Sequence, residues 1–292
     1  MSDAVPMAQG RSGIRLHLAG DPGGPPAVFL PGADWTGASG LSVAEAVPEF
    51  AWHCLDLPGT GGSQPLRVAD QRGFAAWLAE FCDDLALGPI HLAGHSLGGF
   101  LALAAAASGR LSLRSLLLID GGLGPLTTAQ EIGPVAYVAP AMARLDAWLG
   151  GRLLAHRPGR PGAAAPPEDL SRLAARLGIE VSGSMRLAAQ DAAGPGGPWN
   201  LDGRAVMRLG LLAMGLRQLP ALSSLDIPVL ALLALHPRGP AWTETLVARR
   251  RELLRRVPRV QVAELSTGHY PFWEDPDAFR RDVRPFYLAL GT

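Results

Sequence analysis

The sequence predicts an α/β fold: a mostly parallel central sheet flanked by helices, with a mainly helical cap inserted after the sixth strand. Three observations carry that expectation. Short apolar runs of strand length alternate with stretches whose apolar residues recur at helical spacing, the order that builds a parallel sheet covered by helices. The alternation breaks once, between Gly121 and about Leu222, where no strand pattern occurs, and then resumes. With 48% hydrophobic and 18% charged residues over 292 positions, the chain is long and apolar enough for a large core.

Ile14 to Leu18 opens the sheet, and Asp21-Pro22-Gly23-Gly24-Pro25-Pro26 is a loop. Ala27 to Leu30 is the next strand, and Trp52 to Leu55 follows after a short helical stretch. Asp70 to Leu85 reads as a helix because Phe74, Trp77, Leu78, Phe81 and Leu85 recur on one face. Pro89 to Ala93 is a short buried strand, and Leu97 to Ala107 enters an Ala/Leu-rich helix. Leu113 to Ile119 is apolar throughout, as a strand covered on both faces must be. The segment from Gly121 to Leu222 is helical and proline-interrupted, with Gly/Pro/Ala-rich stretches at Arg157 to Pro167 and Gly194 to Pro198. Ile227 to Leu233 resumes the sheet, Trp242 to Arg256 is a helix, Val260 to Leu265 a last strand and Phe272 to Leu290 a closing helix. The expected division is a core of residues 1–120 and 223–292 with a cap of residues 121–222.

Composition excludes several classes. Arginine and acidic residues balance at 26 each, with no lysine and no basic stripe, which argues against a nucleic-acid partner. Arg249-Arg250-Arg251 and Arg255-Arg256 read as a solvated helix face. Cys54 and Cys82, one in a strand and one in a helix, read as small core residues, not a disulfide. Met1 to Arg11 lacks a basic region followed by an apolar stretch, and no apolar run is long enough to cross a bilayer, so a cytoplasmic protein without a membrane partner is expected.

The chemistry concentrates at Gly94-His95-Ser96-Leu97-Gly98. A serine with glycine two residues away on each side, between a strand and a helix, has the pattern of a nucleophile elbow. The glycines matter because a Cβ at either position would collide with the neighbouring strand or helix. A serine hydroxyl is a feeble nucleophile until a base takes its proton, and His269, between Gly268 and Tyr270 just after the last strand, is placed to be that base. His95 reads as a packing or hydrogen-bonding residue, and His53 and His91 as core or edge side chains. No closely spaced histidine and carboxylate cluster suggests zinc or another metal.

In combination, Leu30-Pro31-Gly32-Ala33, Asp56-Leu57-Pro58-Gly59-Thr60-Gly61-Gly62-Ser63, the glycine-flanked Ser96 and Gly268-His269 resemble the α/β-hydrolase superfamily of cap-bearing enzymes over nearly the whole chain. The resemblance implies catalysis by Ser96 and His269, with the backbone amides of Leu97 and Ala33 as the oxyanion hole. Pro31 stands where the family commonly has histidine, which changes loop stiffness but not the donor. Asp34 reads as a turn or capping residue.

The triad acid is where the chain departs from the family, which usually carries an aspartate shortly after the strand corresponding to Val229 to Leu233. Here Ala234-Leu235-His236-Pro237-Arg238-Gly239 holds no carboxylate. Asp120, at the end of the strand after the nucleophile, is the proposed replacement, as in certain lipases and dehalogenases of the superfamily; Glu264 is a weaker contender, and Asp226 and Glu244 sit before a strand and at a helix start. The cap is expected to form an apolar pocket with Met142, Trp148, Met185, Trp199, Met207 and Met214 as candidate lining. The function implied is a serine hydrolase cleaving a medium-sized hydrophobic small-molecule ester through an acyl-enzyme, without a cofactor. The alternatives are a carbon–carbon hydrolase or lactonase, an acyltransferase, or a non-catalytic ligand-binding homologue.

Overall fold

Strands and helices alternate along the chain as the apolar runs predict, and they assemble into one eight-stranded sheet in the order β1-β2-β4-β3-β5-β6-β7-β8. The coordinates are a computed structural model, and the structure describes residues 7–9, 13–33, 35–64, 70–123, 181–193, 209–213, 216–237 and 242–291. The strands are β1 (Met7–Gln9), β2 (Arg15–Gly20), β3 (Pro26–Leu30), β4 (Ala51–Leu55), β5 (Ile90–His95), β6 (Leu113–Ile119), β7 (Val229–Ala234) and β8 (Val260–Leu265). β1 pairs with β2 and β2 with β4 antiparallel; every other pairing is parallel. The helices are α1 (Leu41–Ala46), α2 (Gln71–Asp84), α3 (Leu97–Ala107), α4 (Gly183–Ala193), α5 (Gln218–Ser223), α6 (Trp242–Arg255), α7 (Pro271–Glu274) and α8 (Pro276–Leu288).

The two-residue repeat of a strand divides the core. In β6, Leu116 and Leu118 pack with α2, α3, α5 and α6 through Phe74, Leu101, Leu222 and Leu254, while Leu117 and Ile119 pack with α1, α4 and α8 through Val43, Met185 and Phe279. All four β6 side chains are buried, each worth about 1.5–3 kcal/mol relative to exposure. Cys54 and Cys82 are buried and free, as core residues should be.

Two features differ from expectation. β1, which pairs antiparallel with β2, is too short to present an apolar run that would predict it; with it counted, Leu113–Ile119 is the sixth strand, after which the insertion was expected. The closing helix is two helices: Pro276 cannot donate to the preceding turn, and the Asp275 carboxylate accepts from the Ala278 amide to cap α8 afresh.

Between β6 and β7, the described residues are helical in α4, in 209–213 and in α5, with no strand among them. Met185 of α4 is buried against the core and so packs cap to core. Met142, Trp148, Trp199, Met207, Met214 and both Gly/Pro-rich stretches lie outside the described residues. No helix of the described residues is long and apolar enough to cross a membrane.

Candidate active site

The turn from β5 into α3 holds Ser96 at φ 50° and ψ −119°, a conformation that costs a non-glycine residue energy and must be enforced by its surroundings. The glycines do the enforcing. A Cβ on Gly94 would overlap the Gly98 carbonyl oxygen in α3, and one on Gly98 would overlap the Leu30 carbonyl oxygen at the end of β3. Gly121 lies against the Ser96 backbone just as closely, and the Ser96 amide donates to the Ile119 carbonyl at 3.0 Å.

His269 reaches this turn from the loop after β8. Its Nε2 lies 2.9 Å from Ser96 Oγ, and its Nδ1 lies 2.6 Å from Asp120 Oδ2. The loop is gripped on both sides of His269: the Gly268 amide donates to Glu274 Oε2 at 2.6 Å and the Tyr270 amide to Glu274 Oε1 at 3.0 Å. Beneath it, His95 Nε2 donates to the His269 carbonyl at 2.7 Å. Burial, aided by the neighbouring His269, pushes His95 down to about 3, so it is the neutral imidazole that makes this bond. His95 thus has the hydrogen-bonding role expected of it.

Asp120 ends β6 at φ 40°, buried, with its amide donating to the Leu232 carbonyl at 2.9 Å. Its carboxylate receives three side-chain donors: His269, His236 Nε2 at 3.1 Å on the same oxygen Oδ2, and Arg250 on Oδ1. Burial alone would raise a carboxyl here. The bonds from His236 and His269, with the Arg250 charge, outweigh it and hold Asp120 well below the usual carboxylate range.

One sequence reading needs correcting at this point. Arg250 is not part of a solvated face: it is buried and turned onto Asp120, whereas Arg251, Arg255 and Arg256 are exposed. The segment after β7 lacks a carboxylate, as read, and its His236 donates to Asp120 Oδ2, the oxygen that Arg250 does not take. Neither residue is separable by spacing alone from an ordinary surface arginine or loop histidine, and Glu274 had no signal beyond its closeness to His269. The rival acids are occupied elsewhere, Glu264 by Arg251 and Asp226 by Arg259 at 2.8 Å.

Ala33 lies on the turn after β3, and this turn passes against Ser96: a Cβ on Gly32 would sit 3.3 Å from Ser96 Cβ. Leu97 is the first residue of α3, where amide groups have no partner within the helix. Asp34 lies outside the described residues.

Chain folding also creates histidine–carboxylate groups that linear spacing does not display. Asp120, His236 and His269 form one, and His17, Asp56 and Asp191 another, each with ligand atoms within 4.8 Å of one another. Three such ligands are the number a zinc site uses. In each group, however, an arginine already pairs with a carboxylate, Arg250 in the first and Arg15 in the second, and supplies the positive charge there.

The Alpha/beta hydrolase family model matches residues 27–282. Among curated proteins, the 2-succinyl-6-hydroxy-2,4-cyclohexadiene-1-carboxylate synthase of Klebsiella pneumoniae is 34% identical over 111 residues, 38% of this chain and 44% of that protein. The same enzyme of Yersinia enterocolitica is 33% identical over 102 residues, 35% of this chain and 37% of its own. The chain therefore matches less than half the length of these curated relatives. Among solved structures, an E-2-(acetamidomethylene)succinate hydrolase aligns over 98% of this chain and 100% of its own with a TM-score of 0.67 at 21% identity. A thermophilic esterase from Thermogutta terrifontis aligns over 99% and 100% with a TM-score of 0.62 at 22% identity. At such identities these structures share the fold.

Proposed function

The chain belongs to the alpha/beta hydrolase family, and we propose that it is a small-molecule hydrolase in which Ser96 attacks a carbonyl carbon. One observation carries the reading: Ser96 Oγ, His269 and the ionised Asp120 carboxylate stand in a continuous hydrogen-bonded line of 2.9 and 2.6 Å. His269 Nε2 takes the hydroxyl proton as Oγ attacks, and Asp120 keeps Nδ1 protonated and balances the imidazolium that forms. The amides of Leu97 and Ala33 donate to the oxyanion, each donor being worth about 3–4 kcal/mol in comparable sites. His269 then passes its proton to the leaving group, and water releases the acyl group by the reverse sequence of transfers.

The identity of the leaving group separates two readings. An alkoxide or phenoxide leaving group makes the protein a carboxylic ester hydrolase. The second reading is a carbon–carbon bond hydrolase; the curated relatives lend weight to a non-ester substrate, since the product in their name contains no ester. In a carbon–carbon hydrolase Ser96 would attack a ketone carbonyl, the bond to the neighbouring carbon would break, and the proton from His269 would go to the carbon of the departing enolate. The same three side chains serve both.

A fluorophosphonate should label the intact protein at Ser96, with labelling abolished in Ser96→Ala; an unlabelled wild type would leave only a ligand-binding role. On unreacted wild-type protein, 1,3-diketones or their vinylogous counterparts, whose cleavage releases an enolate, can be compared directly with p-nitrophenyl esters of increasing chain length. Faster turnover of the diketones supports carbon–carbon cleavage. Turnover of esters alone supports the esterase.

A further inference from the structure

Asp120 carries one donor more than a proton relay requires on the oxygen that serves it. Oδ2 accepts from both His269 and His236, while Arg250 reaches only Oδ1, through NH1. A guanidinium facing a carboxylate favours a two-pronged pairing that takes both oxygens. Arg250 presents that fork end-on, with Nη1 already on Oδ1 and Nη2 beside it on the same edge of the guanidinium. A modest rotation of the Asp120 carboxylate would bring Oδ2 to Nη2, complete the fork and remove Oδ2 from His269.

We propose that His236 is a positioning residue that opposes this rotation, its Nε2–H pinning Oδ2 of Asp120 toward His269 against the pull of Arg250. The inference rests on the reading of Ser96 as nucleophile and His269 as base. His236 is itself held firmly enough for the task. Its backbone sits at φ 50°, its amide donates to the Thr267 carbonyl at 2.8 Å, and its ring stacks on His269 at 6.2 Å between centroids and 27° between planes. The position follows β7, so one strand end aims the acid that another strand end supplies.

The titratable and charged groups around this point, among the described residues, are few. Arg250 faces Asp120 from α6, His236 from the loop after β7, and His269 from the loop after β8; His95 lies under His269 at the end of β5, and Glu274 of α7 holds the loop amides. The sign of a pH shift is therefore informative. If the carboxylate swings to Arg250, His269 loses its anionic partner and its protonated form is destabilised. If the carboxylate stays while losing the His236 donor, it becomes a stronger acceptor and His269 holds its proton to higher pH.

The test is the rate of fluorophosphonate labelling against pH, which reports deprotonation of His269 in the free protein without knowledge of the natural substrate. His236→Ala should lower the labelling rate constant about 10- to 100-fold, the size of loss typical for a supporting partner, and move its acid limb to lower pH. His236→Gln, which keeps an N–H donor, should recover most of the rate. Should the alanine variant fold poorly by circular dichroism, His236→Met fills similar space without a donor and makes the same comparison. An acid limb that stays put or moves upward, or a glutamine variant no faster than the donorless one, overturns the proposal. Absence of Ser96 labelling in the wild type would instead overturn the serine reading on which it rests.

Discussion

Asp56 and Asp120 invite comparison because their surroundings sound alike and their uses differ. Each directly follows a strand, β4 and β6, each is buried, and each has an arginine and a histidine beside it. Asp56 accepts from backbone, the Gly37 amide and the Gly62 amide both at 2.8 Å, while Arg15 and His17 stand off at 3.5 and 3.8 Å. Asp120 accepts from side chains, one of which touches Ser96. Burial pushes the Asp56 carboxyl up, with the two amides and Arg15 offsetting part of the rise, whereas the donors around Asp120 reverse the effect of burial. Burial and charge alone do not mark a functional carboxylate. On the proposed reading, what sets Asp120 apart is that one of its partners reaches Ser96.

The largest effect should separate the two sites outright. Asp120→Asn should lower turnover about 10³- to 10⁴-fold with the fold retained, because the amide no longer stabilises the imidazolium or its working tautomer. Asp56→Asn should leave turnover within about tenfold, since no reacting group depends on its charge. Near-normal turnover in the Asp120 variant would remove the distinction between the two sites. Stability should fall in both variants, at position 120 because the buried Arg250 loses its charge partner. Asparagine at position 56 offers one acceptor to two buried amides, and leaving an N–H unsatisfied costs about 1–3 kcal/mol, measurable by urea denaturation.

A smaller effect tests the link from Asp56 to the cap. Asp191 of α4 pairs with Arg15 and accepts from Thr36 Oγ1 at 2.5 Å, so a cap helix shares the arginine that faces Asp56. Burial would raise Asp191, but His17, Thr36 and Arg15 bring it from 3.8 to about 2. A carboxyl whose folded value is depressed contributes stability above its unfolded value and loses it as pH falls toward the folded one. The contribution of Asp191 is therefore complete above about pH 4 and fades between 3.8 and about 2. Asp191→Asn should flatten the stability profile in that window and hasten proteolysis within α4 at neutral pH. An unchanged profile would mean that α4 docks through Ser184, Met185 and Ala188 without the ion pair.

Much of this arrangement was legible in the sequence because it is local or periodic. Ser96 was readable from two glycines whose missing Cβ atoms the turn requires, and β6 from an unbroken apolar run. Asp120 followed from the resemblance to the α/β-hydrolase superfamily, some members of which place the acid one strand after the nucleophile, once the usual position after β7 held no carboxylate. What could not be read is what chain closure assembles. Arg250 sits in an arginine-rich helix, and only the rotation of α6 about its axis separates it from exposed Arg251. His236 was visible as the residue present where an acid was missing, but its partner is 116 positions away. The Asp56 and Asp191 network joins a motif loop to the cap, a distance that no spacing rule spans.

The smallest expected effect concerns Glu264, the carboxylate of β8 that competes on paper with Asp120. It lies one strand from β6's neighbour and only five positions before His269, yet it points to Arg251, with Oε2 receiving NH2 at 2.6 Å and Oε1 receiving Nε. The pair is partly exposed, and solvent-exposed ion pairs contribute little because water and salt screen them. Glu264→Gln should therefore leave the fluorophosphonate labelling rate and its pH profile as in the wild type, and barely move the thermal midpoint. Such an outcome sharpens the contrast drawn from Asp56: a carboxylate can be near the base in sequence, ionised and paired with arginine, and still stand outside the chemistry. A large loss of labelling in this variant would shift the acid's role from β6 to β8 and undo the assignment of Asp120.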